Sequence, residues 1–285
     1  MTAPTDPQQS RASRASRTRQ RAPRYRLTFP GVVRSEWIKT VGLRSTWWTL
    51  GVAVVVMVAF AALVAVSLSM AGDDQGLSIG SFRMEAITVG LSFAQLAVAV
   101  LGALVVTGEF STGSVRSTFA AVPGRTSVLL AKAVVLTALV AVTGLISTAL
   151  AYAVGIPSFA GTSYSFDASD ATTWRILLGV TLYLVTLGLF SLGVGAIMRN
   201  STGAIFTLVA ILFVLPMIVS IAGAFQATEW IATAGDYLPA AAGGQLLAAT
   251  TAPDALTPWQ GYGVLAAWTA AALVAGIVMT KRRDA

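Results

Sequence analysis

The sequence predicts an all-α integral membrane protein with six transmembrane helices, and three observations carry that prediction. Of the 285 residues, 55% are hydrophobic and only 11% are charged, a balance that belongs to a polytopic membrane chain rather than a soluble domain. The apolar residues gather into runs long enough to cross roughly 30 Å of hydrocarbon at about 1.5 Å per residue. The lysines and arginines collect in alternate segments between those runs, as the charge asymmetry of short membrane loops requires.

Residues 1–30 are rich in Ser, Thr, Pro and Gln and carry Arg11, Arg14, Arg17, Arg19, Arg21, Arg24 and Arg26. Such a segment buries too little apolar surface to offset its ordering entropy, so it reads as a disordered basic tail beside an anionic leaflet. No apolar core follows the early arginines at the distance a cleaved export signal needs. Tyr25 is the one aromatic residue among them, too few for a stacking platform, which argues against a nucleic-acid partner. Residues 31–285 then form a single membrane domain.

Residues 31–41 suit a helix lying in the membrane surface. At about 100° per residue Val33, Trp37, Ile38 and Val41 share one arc, while Ser35, Glu36, Lys39 and Thr40 fall outside it. Arg34 intrudes on the apolar arc and is expected to snorkel toward headgroups. Glu36, Trp37, Lys39 and Arg44 are the residues of interest here, and Trp47 and Trp48 mark the interface where the first span begins. The spans are predicted at about 47–70, 87–106, 128–155, 176–198, 203–225 and 262–280. Pro216 interrupts the fifth, which predicts a kinked span or a span followed by a helix that dips back into the bilayer. Residues 226–261, with Trp230, Tyr237 and Trp259, read as one or two short helices at or in the outer leaflet.

With the N-terminus in the cytosol, ten basic residues lie in the tail and surface helix. Arg116, Arg125, Lys132, Arg199, Lys281, Arg282 and Arg283 fall on the same side. Only Arg83 and Arg175 remain outside, together with eight of the twelve acidic residues. Six spans put both termini in the cytosol, in agreement with the charges.

Cysteine and histidine are absent, which removes thiol nucleophiles, disulfides, the usual zinc sites and histidine bases. Asp73 and Asp74 form a lone acidic pair rather than a metal-binding repeat. No ionisable residue falls near the middle of a span, and Lys132 is expected to snorkel to the cytosolic end. A gradient-driven carrier would normally bury such a group partway through the bilayer. No phosphate-binding loop of the Gly-x-x-x-x-Gly-Lys-Ser/Thr kind occurs, so ATP-driven work would need a partner ATPase. No enzyme activity, metal or bound cofactor is expected of this chain.

The stretch that organises the rest is the polar island of residues 107–116, running on through Pro123, Gly124 and Arg125 to Lys132 between the second and third spans. Gly108 and Gly113 are expected to let the backbone turn at the membrane exit, and Pro123 to stop a short helix. Glu109 is placed to accept hydrogen bonds from backbone donors or an arginine there, so that island and span act as one lever.

Ser35-Glu36-Trp37-Ile38-Lys39, followed by Arg44-Ser45-Thr46-Trp47-Trp48, resembles the N-terminal signature of bacterial ATP-binding-cassette (ABC) transporter permeases of the type-2 exporter class. The island Glu109-Phe110-x-x-Gly113-x-Val115-Arg116-x-Thr118, with Pro123, Arg125 and Lys132, is similar to that family's segment between its second and third spans. Arg199-Asn200-Ser201-Thr202-Gly203-Ala204, Leu215-Pro216 and Tyr237-Leu238-Pro239 with Gly243 resemble its later blocks. The resemblance implies a plasma-membrane permease subunit that pairs with a second permease and docks cytosolic ABC ATPase subunits. It also implies an N-terminal elbow helix around Glu36 to Lys39 and a short cytosolic coupling helix between spans two and three. An extracellular helical loop would join spans five and six. The ATPase-coupling residues would be Glu109, Gly113, Arg116, Pro123 and Arg125, and the cargo would pass between protomers; the apolar spans without buried charges lean toward a lipophilic drug, lipid or peptide as that cargo. A non-transporting membrane binding or immunity protein built on the same fold is the alternative. Gly188, Ser191, Gly193 and Gly195 of the fourth span read as helix-packing residues rather than substrate contacts.

Overall fold

A computed structural model describes residues 28–71, 90–115, 124–155, 171–223, 229–248, 251 and 255–282. The basic tail up to residue 27, and Arg116 to Pro123 of the island, lie outside the described residues. Those that are described form helices and connecting turns without a strand. Six of the helices are long and apolar enough to cross a membrane, so the chain is a multi-pass membrane protein.

Helix α1 (Phe29–Gly42) starts with Pro30 in its first turn, where a missing N–H costs nothing. Leu43 breaks it in an extended conformation, and the first span, α2 (Arg44–Ala71), follows at once. The indole of Trp47 donates to the Val41 carbonyl at 2.8 Å, satisfying one of the acceptors that the end of α1 leaves open. Span two is α3 (Leu91–Ser111), span three α4 (Arg125–Gly155) and span four α5 (Ala171–Met198). Most span ends lie a few residues from expectation, and three of these shifts move named residues. Helix α3 runs through Gly108 to Ser111, so Gly108 makes no turn; the turn falls at Gly113, whose φ of 72° is the left-handed conformation glycine allows. Helix α4 begins at Arg125 and α5 at Ala171, which takes Arg175 into a helix rather than a loop.

The fifth span joins α6 (Ser201–Val209), a π-helical turn at Ala210–Val214, and α7 (Leu215–Gly223). Asn200 caps α6, its side-chain oxygen accepting from the Gly203 N–H at 2.9 Å. The Leu215 N–H reaches back five residues to Ala210. Pro216 lacks an N–H and would crowd the carbonyl four residues before it. A widened turn at that point opens the ladder where the proline cannot complete it, so the interruption at Pro216 is a π-turn inside one continuous span.

Beyond it come α8 (Glu229–Gly235), α9 (Pro239–Gly244), a single 3₁₀ turn at Gln245–Leu247, and the sixth span, α10 (Pro258–Arg282). The Gln260 side chain accepts from the Thr257 N–H at 3.0 Å and closes the first turn of α10.

Helix α5 is the axis of the bundle. It is the most enclosed span, and α3, α4 and α10 all pack on it, whereas the fifth span is the least enclosed. Two glycines bring neighbouring backbones close to α5. A Cβ on Gly102 of α3 would stand 2.5 Å from the Gly188 carbonyl oxygen of α5, and one on Gly193 of α5 would stand 2.7 Å from the Ala272 backbone of α10. Gly188, Ser191, Gly193 and Gly195 are thus packing residues, and small side chains let these backbones meet. Helix α1 lies across one end of the bundle and packs on α4 and α2.

Helix α9 tucks into the opposite end, whereas α8 packs on α7. Gly243 packs on Tyr183 of α5 and Leu265 of α10, and the indole of Trp268 donates to the Tyr237 carbonyl at 3.0 Å. Trp268 lies ten residues into α10, about 15 Å along it. This segment therefore dips well into the bundle instead of resting on its rim.

Candidate functional site

One side of α1, carrying Val32, Glu36 and Thr40, turns inward, while Ser35 and Lys39 stay exposed. Glu36 and Thr40 are buried, while Trp37 and Ile38 are exposed toward the surroundings of the bundle. An exposed apolar face beside Arg34 and Arg44, both also exposed, fits a helix in the membrane surface. That inward side carries the charge of Glu36 into the protein.

That charge belongs to a closed ring of four. The Lys39 ammonium contacts Glu36 Oε1 at 2.8 Å and Glu109 Oε1 at 3.1 Å. The Lys132 ammonium contacts Glu36 Oε2 at 2.6 Å and Glu109 Oε1 at 2.9 Å. Each carboxylate thus receives two ammonium groups and each ammonium spans two carboxylates, so the net charge is zero. Glu36 and Lys132 are 1% and 6% exposed at their side chains, Glu109 14% and Lys39 44%. The ring fastens α1, the end of α3 and the beginning of α4 to one another at the head of the island.

Lys132 was expected to snorkel. Seven residues inside α4, about 10 Å from its first residue, it is buried because Glu36 comes to it from the inward face of α1. The two carboxylates beside the buried ammonium offset part of its desolvation cost. Glu109 does bind cations, but they are two lysines rather than backbone donors or an arginine. Burial alone would pull the Lys39 ammonium below the ordinary lysine value; the hydrogen bonds to Glu36 and Glu109 and their negative charges outweigh that, and its pKa is raised.

Gly113 makes the turn after α3. Arg125 is the first residue of α4, with its side chain outside the described set, as Arg116 and Pro123 are in full. Arg44 is exposed at the start of α2. The sequence reading missed Lys132 as a ring member. The available signal was a cation about two turns inside an apolar helix, with an unassigned carboxylate on the neighbouring helix α1.

A second node stands on the other flank of the same helix end. The guanidinium of Arg199 lies 5.2 Å from the ring centre of Phe110, the residue next to Glu109. Its Nη2 donates to the Met279 carbonyl at 2.9 Å, in the last turn of α10. Ser201 donates to the Thr107 hydroxyl at 2.9 Å, and Thr107 donates in turn to the Ala103 carbonyl. No group of three or more metal-ligating side chains is present among the described residues. The site is mechanical in character: fixed charges and a cation over an aromatic ring that hold helix ends together.

Comparison with family models and with curated proteins gave no match for this chain.

Proposed function

We propose that the chain is the permease subunit of an ATP-driven exporter of the type-2 ABC class. It would sit in a bacterial plasma membrane with both termini in the cytosol, beside a second permease and two separate ATPase subunits. The observation that carries this reading is the charge ring. It makes the surface helix and the exits of spans two and three one block at the island where the family resemblance puts the ATPase contact. A push on the island then moves three helices rather than bending one loop, and an ATPase that binds two permease states differently can drive their exchange. The distribution of basic residues supports the orientation, and the apolar spans favour a lipophilic cargo.

The test is to purify the tagged chain from its native host in mild detergent and identify copurifying proteins by mass spectrometry. Recovery of a P-loop ATPase is expected. With it in hand, Glu109→Ala should insert normally yet lose nucleotide-dependent substrate movement in vesicles; full movement by that variant would remove the lever role. Repeated failure to recover an ATPase, with nucleotide and after crosslinking, would favour the non-transporting binding or immunity protein.

A further inference from the structure

The Arg199-Asn200-Ser201 corner between spans four and five has no part in the charge ring, yet it meets the same helix end. Arg199 has φ 55°, a left-handed conformation uncommon for a residue with a side chain. That backbone places its guanidinium between two elements the ring does not reach. On one side is the Phe110 ring at 5.2 Å, on the other the Met279 carbonyl at 2.9 Å. Met279 lies in the last turn of α10, where carbonyls have no partner within the helix, so Arg199 acts as a side-chain cap there. One residue further on, the Asn200 cap starts α6, and Ser201 reaches Thr107 of α3. Glu109 and Phe110 are adjacent in sequence and face different groups: Glu109 is held to α1 and α4, Phe110 to Arg199 and through it to α10.

We propose that Arg199 is a positioning residue that joins the island end of α3 to α6 and to the end of α10, as a second arm beside the charge ring. On the permease reading, on which the coupling meaning of this arm rests, island motion would be divided: the ring carries it to α1 and α4, Arg199 to the fifth and sixth spans. A planar guanidinium can stack on a ring and donate to a carbonyl at once, which a lysine ammonium cannot reproduce.

The chain has no cysteine, so spin labels can be placed in pairs without removing any native residue. Thr112→Cys with Lys281→Cys reports the island against the end of α10, and Thr112→Cys with Arg34→Cys reports it against α1; all three positions are exposed. Distances are measured by pulsed electron resonance on the full chain in nanodiscs without nucleotide. In the parent both pairs should give narrow distributions. Arg199→Ala should broaden the 112–281 pair and leave the 112–34 pair narrow, with Arg199→Lys restoring only part of the loss. Phe110→Leu, which keeps an apolar side chain and the Arg199–Met279 bond, should produce a smaller broadening of the same pair. An unchanged 112–281 distribution in Arg199→Ala would overturn the proposal, and so would equal broadening of both pairs, which is general loosening.

With a copurified ATPase and vanadate-trapped nucleotide, the parent should keep its 112–281 distance through the transition and Arg199→Ala should not. A parent that recruits no ATPase defeats the permease reading, while the nucleotide-free distances still decide the positioning role.

Discussion

Glu36 and Lys132 are the two members of the ring almost wholly removed from solvent, and that fixes how each can be changed. Taking away one partner of a buried ion pair strands the other charge, a loss of about 3–5 kcal/mol, whereas replacing both with apolar residues of similar size is often close to neutral. Glu36→Ala and Lys132→Ala should therefore each lower thermal stability in detergent strongly, and the Glu36→Met, Lys132→Met double variant should recover most of it. Unfolding followed by tryptophan fluorescence reads this directly; a double variant as unstable as the worse single one would show that the ring stabilises beyond its own charge balance. Lys39 is different, being largely exposed, and Lys39→Ala should cost at most about 1 kcal/mol. Because its pKa is raised, its contribution is fully present below the ordinary lysine value of 10.5. It is lost only as pH rises through the higher folded value, so Lys39 is no switch near neutrality. Glu36, Lys39 and Glu109 could be singled out from sequence because each breaks an apolar neighbourhood. Their meeting could not, since it depends on α1 lying across α4 with Glu36 turned inward, and periodicity gives an arc without saying which neighbour it faces.

Helices themselves were readable because length and hydropathy decide them. The predicted spans and the observed helices agree in number and order, with ends displaced by up to a few residues where polar residues such as Gly108, Glu109 and Arg175 prolong a helix past its apolar run. What hydropathy does not encode is depth outside a span. The segment holding α8 and α9 carries few charges, equally consistent with lying on a leaflet and with entering the bundle. Its depth is set by Gly243 fitting against Tyr183 and Leu265, and by Arg175. That arginine donates from Nη1 to the Leu246 carbonyl at 3.0 Å and from Nη2 to the Ala248 carbonyl at 2.8 Å. These acceptors end the 3₁₀ turn after α9, where Leu246 and Leu247 are buried. A backbone acceptor left unpaired away from water costs roughly 1–3 kcal/mol. Arg175→Ala should thus leave the six spans in place but loosen α9 and the turn after it. Faster amide hydrogen exchange across residues 239–248, with exchange in α3 and α5 unchanged, is the expected result. Protection equal to the parent's would mean that the glycine packing alone holds the segment at depth.

At the scale of the whole molecule, the ring, the Arg199 node, α1 and the described residues of the island all gather at one end of the bundle, and α9 fills the other. The proposed function needs the first end to face the cytosol, because an ATPase bound there cannot act across the bilayer. Basic residues give the physical reason to expect it: short loops that hold Lys and Arg are retained on the cytosolic side, and acidic residues contribute little to the choice. Two facts of the fold strengthen the assignment. Lys132 and Arg199, counted with the inside residues, stand at the same end as Arg44 and Lys281, so the count concerns one face rather than scattered positions. Arg175, counted against it, is held by carbonyls of its own end and serves as a structural cap. In intact cells, a membrane-impermeant maleimide should label Thr257→Cys, at the exposed start of α10. It should spare Thr112→Cys and Lys281→Cys until the membrane is permeabilised. The reverse pattern would put the island outside the cell, beyond reach of any cytosolic ATPase. The ring would then remain a structural clamp, and its partner would have to be sought on the outer surface.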